Sequence, residues 1–547
     1  MSDHHYRLAI TPLSPVHMGT DADYEPTGYV IDDGALFEFD AIAALQALPE
    51  AERKKLDKLL SGKPDDAMLR QVQGFFHANR ERFIGHSRRQ VRVNPSIEAF
   101  YKERVGKVAQ HEHGGRKVQN KLEIERTAWN PVSGKPILPG SGLKGAIRTA
   151  LLDRENGGRR LERGERNRDL QNRLFDFRAG KFKLDPMRLV RLGDAPLRDG
   201  IDLPTEVLFA LNRKKRPVEK NGTQVQSQAE QKGLYQLLEC LPPLFDRPFA
   251  GTLTVQDLDR IGDERNTPRL RFGIGDIATA CNRFYRPILE RELTLLRQRG
   301  FVDAHWADRI EQLLRQLQPA FEKGRAFLLR AGRHSGAESV TLEGVRSIRI
   351  MKGRGERPDW SDSPKTLWLA GRERQAQRDL LPFGWLLVEI DPTDQPPISA
   401  VETVREIEKW QRQVGSRVVA LRERVERDRA EEAAREQRLQ EEQRRAAAEE
   451  EARRAQKEAE RLEREAALAK MAPIEREIHG FESIPEALKV LESGKWGDDQ
   501  SEAARYLKVR MQGEGVWVEV SKKKNPAKDK AHQRTLLVRR HIDEGAE

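Results

Sequence analysis

Residues 401–470 constrain the fold of this 547-residue chain more than any other stretch. The stretch contains no proline and a single glycine, and its glutamates and arginines recur three and four positions apart. This spacing brings opposite charges together on an α-helix and stabilises the helix in solvent. The sequence therefore predicts one charged helix, roughly 90 Å long, between an N-terminal region (residues 1–400) and a small, mostly helical unit (residues 471–547).

Four aliphatic residues near the start of this helix follow the 4-3-4 spacing of a coiled-coil-like seam. They are Val414, Val418, Leu421 and Val425. Large apolar residues are scarce beyond them, so we expect a solvated helix there. The helix is interpreted as a stiff spacer, with a partner-binding helix as the alternative.

The formal net charge of +11 belongs to the first 400 residues. Residues 401–470 hold 18 basic and 18 acidic residues, and residues 472–547 hold 14 of each, so both segments are neutral. Attraction for a polyanion such as nucleic acid is therefore expected in the N-terminal region.

Composition excludes several classes of protein. Cys240 and Cys281 are the two cysteines, too few for a disulfide framework or a cysteine-based zinc site. The first residues lack an apolar signal segment, and no run approaches the ~18 apolar residues of a membrane helix. We expect a soluble, cytoplasmic protein without a membrane partner.

Strand-like and helix-like segments are mixed over residues 1–400, which favours an α+β fold over a doubly wound parallel sheet. Strands are predicted over 6–19, 187–195, 249–258 and 383–392, and residues 326–341 are predicted to be a strand that runs into a glycine-containing loop. Hairpins are predicted over 29–40 and, with a basic tip, over 208–228. Helices are predicted over 41–85, 142–156 and 275–299, and residues 86–136 are predicted to be mostly loop.

The stretch LPGSGLKGAIR (138–148) contains Gly140, Gly142 and Gly145 in the spacing of a dinucleotide-binding turn. Such a turn needs a buried strand before it and an acidic residue, about 20 positions later, at the end of a second strand. Here Pro139 precedes the first glycine, and an arginine-rich polar stretch follows the helix. The P-loop pattern is missing as well. We therefore expect no nucleotide cofactor.

The same stretch has the ingredients of a different phosphate site. Glycines let a ligand approach the backbone, and a helix start offers unpaired N–H groups. Ser141 is the predicted N-cap, and Lys144 and Arg148 share one helix face. The pattern favours binding of an RNA backbone, and the alternative is a tight packing turn with solvated cations.

Four stretches resemble the RAMP proteins of type III CRISPR–Cas complexes. ILPGSGLKGAIRTALL (137–152) is similar to their P-G-S-S-L-K-G-x-x-R signature, with Gly142 in place of the second serine. The others are LAITPLSPVHMGT (8–20), RLVRLGDA (188–195), which ends near Asp194, and LLRAGRHSGAESVT (328–341). Over about residues 6–392 the chain most resembles the terminal, head-capping subunit of the type III-A (Csm) complex.

The resemblance implies ferredoxin-like (RRM-like) domains and a non-catalytic subunit that caps the backbone filament. It implies that the subunit holds the 3′ part of the crRNA, near the target RNA duplex, and supports crRNA maturation and antiviral defence. Other RAMP and small subunits are the implied partners, and the resemblance implies that recruited host nucleases trim the crRNA. The implied RNA-binding residues, with a basic hairpin tip, are Gly140, Ser141, Gly142, Lys144, Gly145, Arg148, Gly332, Arg333, Gly336, Arg213, Lys214 and Lys215.

Candidate catalytic groups are few. His17 follows the first strand and could act as a general base. His111 and His113 flank Glu112, but H-x-H without a second ligand pair is a weak metal signal, so no metal is expected. Asp21, Asp23, Asp32 and Asp33 could serve a nuclease, although the capping subunit is not expected to cut RNA.

Two alternatives to the crRNA-binding subunit stay open at this point. One is a metal-independent endoribonuclease of the RAMP fold that processes repeat RNA with His17 as its base. The other is an interaction scaffold built around the helix over residues 401–470.

Overall fold

The computed structural model describes residues 3–107, 122–176, 180–220, 223–225, 234–256, 267–350, 355, 357–392, 401–523 and 525–543. The chain divides into two compact units. We name them the body (Met1–Glu431) and the C-terminal unit (Glu432–Glu547).

Strands and helices are numbered in chain order. The strands are β1 (Asp3–Pro12), β2 (Gly19–Tyr24), β3 (Tyr29–Asp32), β4 (Ala35–Phe39), β5 (Ser87–Val93), β6 (Ile124–Thr127), β7 (Ile137–Leu138), β8 (Val190–Leu192), β9 (Ala195–Pro196), β10 (Glu206–Lys214), β11 (Val218–Lys220), β12 (Thr223–Val225), β13 (Tyr235–Cys240), β14 (Phe249–Gln256), β15 (Ala326–Arg330), β16 (Ile348–Ile350), β17 (Asp359–Ser361), β18 (Thr366–Gly371), β19 (Leu381–Pro382) and β20 (Trp385–Ile390). The helices are α1 (Ala41–Gln46), α2 (Glu50–Leu60), α3 (Asp66–Ala78), α4 (Arg80–Gly85), α5 (Pro95–Arg104), α6 (Gly140–Asn156), α7 (Asn167–Phe175), α8 (Ile274–Gln298), α9 (Ala304–Gln316), α10 (Gln318–Glu322), α11 (Val401–Ala469), α12 (Pro473–Gly480), α13 (Ile484–Glu492), α14 (Gln500–Gly513) and α15 (Lys530–Asp543).

The first sheet of the body is antiparallel, with the strand order β15-β20-β1-β14-β8. Helices α6 and α8 pack against each other and on this sheet. Their apolar faces share one core with the strands, which includes Leu8, Phe249 and Leu289. The hydroxyl of Tyr285 on α8 donates to the carbonyl of Ala146 on α6 at 3.0 Å, which fixes the two helices together. The α+β prediction is confirmed.

The second sheet has the order β2-β6-β13-β10-β5-β4-β3, and β18 pairs with β10 and β19 outside that path. It is mixed, because β5 runs parallel to β10 and β6 runs parallel to β13. The predicted hairpin is present as β3 and β4. Asp33 and Gly34 in its turn have φ values of 50° and 73°, as a two-residue hairpin of this type requires.

The prediction that residues 86–136 are mostly loop is wrong, because β5, α5 and β6 lie there. Strand β5 contains Arg88 and Arg89, whose charges obscure the strand pattern. Glu38 on β4 and Glu239 on β13 pair with these arginines, so charges from elsewhere in the chain make the strand stable. Residues 108–121 are outside the described residues.

The strand predicted over 187–195 is also shorter than expected. Asp185 caps a short 3-10 turn that starts at Pro186, because its side chain accepts from the amide of Met187 at 2.9 Å. Regular pairing is limited to β8 and β9.

Helix α11 is continuous over the charged stretch, and its first part packs on the body. The indole N–H of Trp410 donates to the carbonyl of Gly34 at 3.1 Å. Val414 and Val418 are buried among residues of β3, β4 and the helices after them. The predicted seam therefore packs on the body of its own chain instead of forming a coiled coil there.

In the C-terminal unit, α12 to α15 surround a core that includes Leu491, Leu507 and Val538. The predicted helical unit is present. The portion of α11 from Ala433 to Leu462 is exposed on all sides. Among the described residues, no helix is both long and apolar enough to cross a membrane.

Candidate nucleic-acid interface

The glycine-rich stretch forms the start of α6, which begins at Gly140 directly after Pro139. The amide of Gly140 donates to Asp194 Oδ1 at 2.7 Å. A Cβ on Gly140 would lie 2.5 Å from the carbonyl oxygen of Leu192, so only glycine fits this approach of α6 to β8. The prediction that Ser141 is the N-cap is wrong. Pro139 holds that position, and Asp194 satisfies the helix start from a distant part of the chain.

The two later glycines have different surroundings. A Cβ on Gly142 would lie 2.6 Å from Met18 Cε, the end of a flexible side chain. The corresponding point on Gly145 has no described atom within 4 Å, and Gly145 is exposed. Glycine inside a helix costs about 1 kcal/mol relative to alanine. Within the described structure, packing does not explain why glycine occupies position 145.

Arg148 is committed to contacts inside the body. One of its guanidinium nitrogens donates to both carboxylate oxygens of Asp185, at 2.9 and 2.8 Å, and another donates to Gln171 Oε1 at 3.2 Å. The guanidinium also lies over the ring of Phe175, 5.2 Å from its centre. Asp185 therefore neutralises Arg148 in this structure, and the predicted contact of Arg148 with RNA stays a prediction.

Lys144 is half-buried, and none of the described residues forms an ion pair with its ammonium group. Burial is the main cause that lowers the pKa of Lys144. The Asp185 carboxylate opposes this shift, whereas Arg148 and the exposed Arg191 on β8 add to it. The helix start thus has Lys144 and Arg191 as its two cations without ion-pair partners among the described residues. Sequence reasoning missed Arg191, although its position between the apolar residues of RLVRL was a signal.

The late glycine-containing loop follows β15 and is held by its own contacts. Gly332 has φ of 89°, and a Cβ there would lie 2.4 Å from the carbonyl oxygen of His17. The amide of Arg333 donates to that oxygen at 2.9 Å, and its guanidinium pairs with Glu125 at 2.6 Å. Gly336 has φ of 79° and faces the guanidinium of Arg330.

Met18 lies between the two glycine-containing segments. Its Cε is the atom nearest to the Cβ position of Gly142, and its Sδ lies 3.2 Å from that of Gly332. The backbone of Met18 is fixed by Thr127 Oγ1 at 3.0 Å and by the amide of Ala128 at 2.7 Å. The structure therefore brings three separately predicted stretches together around one buried side chain.

His17 is fully buried beside this junction. Its Nδ1 is 2.7 Å from the carbonyl oxygen of Glu239, and its Nε2 is 4.0 Å from Glu125 Oε2. Burial lowers the pKa of His17, so the imidazole is neutral at pH 7. A neutral, enclosed histidine fits a role in packing better than contact with RNA.

The four early aspartates separate into two pairs. Asp21 and Asp23 are exposed on β2. Asp32 pairs with Arg417 on α11, which is also 3.7 Å from Asp33. The second pair therefore anchors the long helix.

The expected basic hairpin tip is corrected in part. Arg213 and Lys214 end strand β10, and Arg213 is 2% exposed, with its guanidinium donating to the carbonyl of Ala376. Lys215 pairs with Glu338 in a cleft of about 740 Å³ that Gly336 also lines. The tip itself falls partly on residues 221–222, which lie outside the described residues. Arg213 is thus a core residue, and Lys215 is held in an internal ion pair.

Among the described residues, no group of three histidine, cysteine or acidic side chains is arranged to hold a metal ion. His111 and His113 lie outside the described residues.

The class of protein follows from a comparison of the chain with models of protein families. The model of the RAMP superfamily matches residues 9–302, more than half of the chain, and the chain therefore belongs to that superfamily.

Two solved structures are similar to this chain. One is a chain of the cryo-EM structure of the Csm–crRNA–target RNA ternary complex in a type III-A CRISPR–Cas system. It is 17% identical with a TM-score of 0.39, and the match covers 71% of this chain and 100% of that chain. The other is the crystal structure of Csm5 from T. onnurineus, which is 17% identical with a TM-score of 0.38 and is matched over 69% of this chain and 99% of that chain. A search of the curated proteins finds no match.

Proposed function

We propose that this protein is a non-catalytic, crRNA-binding subunit of a type III-A (Csm) CRISPR–Cas effector complex. In this role it caps the backbone filament, holds the 3′ part of the crRNA and contacts other RAMP and small subunits near the target RNA. Membership of the RAMP superfamily supports the class. The type III-A assignment rests on the resemblance of residues 6–392 to the capping subunit. We further propose that β1, α6, β8, β14, α8 and β15 form a ferredoxin-like (βαββαβ) core, and that β20 adds a fifth strand to its sheet between β1 and β15.

One observation carries the RNA-binding proposal: the start of α6 has exposed Gly145 and half-buried Lys144, and β8, which contacts α6, carries exposed Arg191. The empty space beside Gly145 lets a sugar–phosphate chain approach the helix backbone. None of the described residues forms an ion pair with Lys144 or Arg191, and a bound phosphate would pair with both cations. Because the amide of Gly140 is already bonded to Asp194, the proposed contact uses the exposed side of the helix and not its end.

Replacement of both cations, Lys144→Ala with Arg191→Ala, should weaken binding of crRNA to the full chain. Each phosphate contact on a single strand contributes about 0.7 to the slope of log K against log salt, so the slope should fall by about 1.4. Filter binding or fluorescence anisotropy of labelled crRNA over a salt series measures both quantities.

The matched control removes two cations elsewhere on the body. Arg53→Ala with Lys58→Ala changes the net charge equally on the exposed surface of α2. This control should keep the salt slope of the unaltered chain. An unchanged slope in the Lys144 and Arg191 variant, or an equal decrease in the control, contradicts the proposed contact.

The proposed absence of catalysis is tested separately. Purified full chain, incubated with repeat RNA with and without divalent metal, should leave the RNA intact, because the imidazole of His17 is fully buried and cannot reach the RNA. Cleavage that disappears in His17→Ala, with the thermal midpoint unchanged, would instead support the repeat-processing endoribonuclease.

A further inference from the structure

The C-terminal unit is neutral over residues 472–547 as a whole, but its charges are segregated along the chain. Residues 472–514 contain six basic and nine acidic residues, whereas residues 515–543 contain eight basic and three acidic residues. The second segment is the loop after α14 followed by α15. A neutral total therefore conceals a strongly basic strip.

Most of the described cations of this strip form no ion pair with another described residue. Lys528 precedes α15, and Lys530, Arg534 and Arg540 lie on its exposed face. No described residue forms an ion pair with any of these four side chains. By contrast, Arg539 pairs with Glu519 at 3.3 Å.

The strip is held in a defined shape by hydrogen bonds between the loop and α15. The amide of Val518 donates to Thr535 Oγ1 at 3.0 Å, and His532 Nδ1 is 3.0 Å from the carbonyl oxygen of Val518. The hydroxyl of Ser521 donates to Asp529 Oδ2 at 2.6 Å, and Asp529 is buried. Asp529 also lies 4.0 Å from Lys523 Nζ, so its charge is balanced by that lysine, and the four remaining cations named above keep the exposed surface positive.

The aromatic group at this surface is not available for stacking. Trp517 is half-buried, and Lys508 Nζ and Arg539 Cζ lie 5.5 and 5.8 Å from its ring centre. A base would have to displace these cations to stack there. Recognition by this surface is therefore expected to depend on charge and not on base identity.

We propose that Lys528, Lys530, Arg534 and Arg540 form a second nucleic-acid site, which binds the sugar–phosphate backbone without sequence preference. A membrane surface fits less well, because an interfacial helix needs an exposed apolar face. The apolar side chains of α15, such as Val538, pack in the core of the C-terminal unit. Leu536, at 42%, is the one large apolar side chain of α15 that is exposed, and a single residue does not make an apolar face. This site does not rest on the contact proposed for α6.

The test uses the full chain carrying Lys144→Ala and Arg191→Ala, so that loss of the α6 contact and loss of the strip are distinguished. In this background, Lys528→Gln, Lys530→Gln, Arg534→Gln and Arg540→Gln are added together. Binding of a labelled single-stranded RNA of arbitrary sequence should weaken about a hundredfold at about 50 mM salt, the loss should shrink as salt rises towards about 200 mM, and the salt slope should fall by about 3. A duplex DNA probe, measured in parallel, tests whether the strip binds the backbone of DNA as well as that of RNA.

The matched control removes four cations of α11 from the same unit, as Arg444→Gln, Arg453→Gln, Lys457→Gln and Arg464→Gln. These exposed residues are interspersed with glutamates, so their loss should leave affinity and slope nearly unchanged. Ultraviolet cross-linking of RNA to the unsubstituted chain, followed by peptide mapping, should label residues 515–543. Equal RNA affinity of the strip variant and its parent overturns the proposal, and so do equal losses of affinity in the strip variant and the control. Binding of the chain to phosphatidylserine vesicles, but to neither RNA nor DNA, overturns it as well.

Discussion

Glu239→Ala is expected to lower the free energy of unfolding of the body by about 3–5 kcal/mol, the usual cost of breaking a buried ion pair. Glu239 is fully buried, and its carboxylate accepts from the guanidinium of Arg89, from Thr205 Oγ1 at 2.5 Å and from the amide of Thr127 at 3.0 Å. Truncation leaves the guanidinium of Arg89 buried without its partner. Because Thr127 also supports Met18, the junction of the glycine-containing segments should loosen as well.

Denaturant unfolding of the full chain, followed by hydrogen exchange of peptides from β10 and β13, measures this loss in the body. Glu81→Ala is the matched control, because Glu81 and Arg424 are paired at 3.0 Å with both side chains more than half exposed. Exposed pairs contribute about 0–1 kcal/mol, so this control should change little. Similar losses in the two variants would mean that burial of the Glu239 pair contributes nothing to stability.

Gly140→Ala is expected to destabilise the body by about 1–3 kcal/mol, the usual cost of overpacking. The added methyl group would meet the carbonyl oxygens of Leu192 and Gly193 at 2.5 and 2.6 Å, and backbone atoms cannot move aside as a side chain can. Thermal unfolding and hydrogen exchange of the α6 peptide report the loss. The bond between the Gly140 amide and Asp194 should open with it.

Gly145→Ala, the same change five residues along the same helix, should have the opposite sign. The space beside Gly145 is open, and alanine is favoured over glycine inside a helix by about 1 kcal/mol, so stability should rise. Affinity for crRNA should nevertheless fall, because the methyl group obstructs the backbone of the ligand. Destabilisation by this variant would contradict the assignment of Gly145 to an open surface.

Features set by local spacing could be predicted from the sequence. The hairpin could be predicted because Asp33 and Gly34 are residue types that adopt the two positive φ values of its turn. The length of α11 could be predicted from the spacing of its charged residues. Strand β5 was missed because its arginines are neutralised by glutamates from β4 and β13. Helix α5 was missed although Asn94 and Pro95 form a typical helix start.

The candidate site was also predicted only in part. The i, i+4 spacing identified Lys144 and Arg148 as neighbours, but it could not say which cation an internal acid would neutralise. Asp185, 37 positions after Arg148, pairs with it, and Arg191 from β8 lies beside Lys144 instead. The positions of Asp185 and Arg191 both depend on how β8 and the turn before it pack against α6. No local sequence pattern predicts that packing.

The position of Met18 has an evolutionary consequence. A larger side chain at residue 18 would collide with the helix at Gly142 and with the loop at Gly332 at the same time. A substitution at any one of these three positions therefore limits which residues the other two can accept. Aligned relatives should therefore exhibit covariation among three columns separated by more than a hundred positions. The volume at residue 18 should decrease wherever either glycine column admits a side chain.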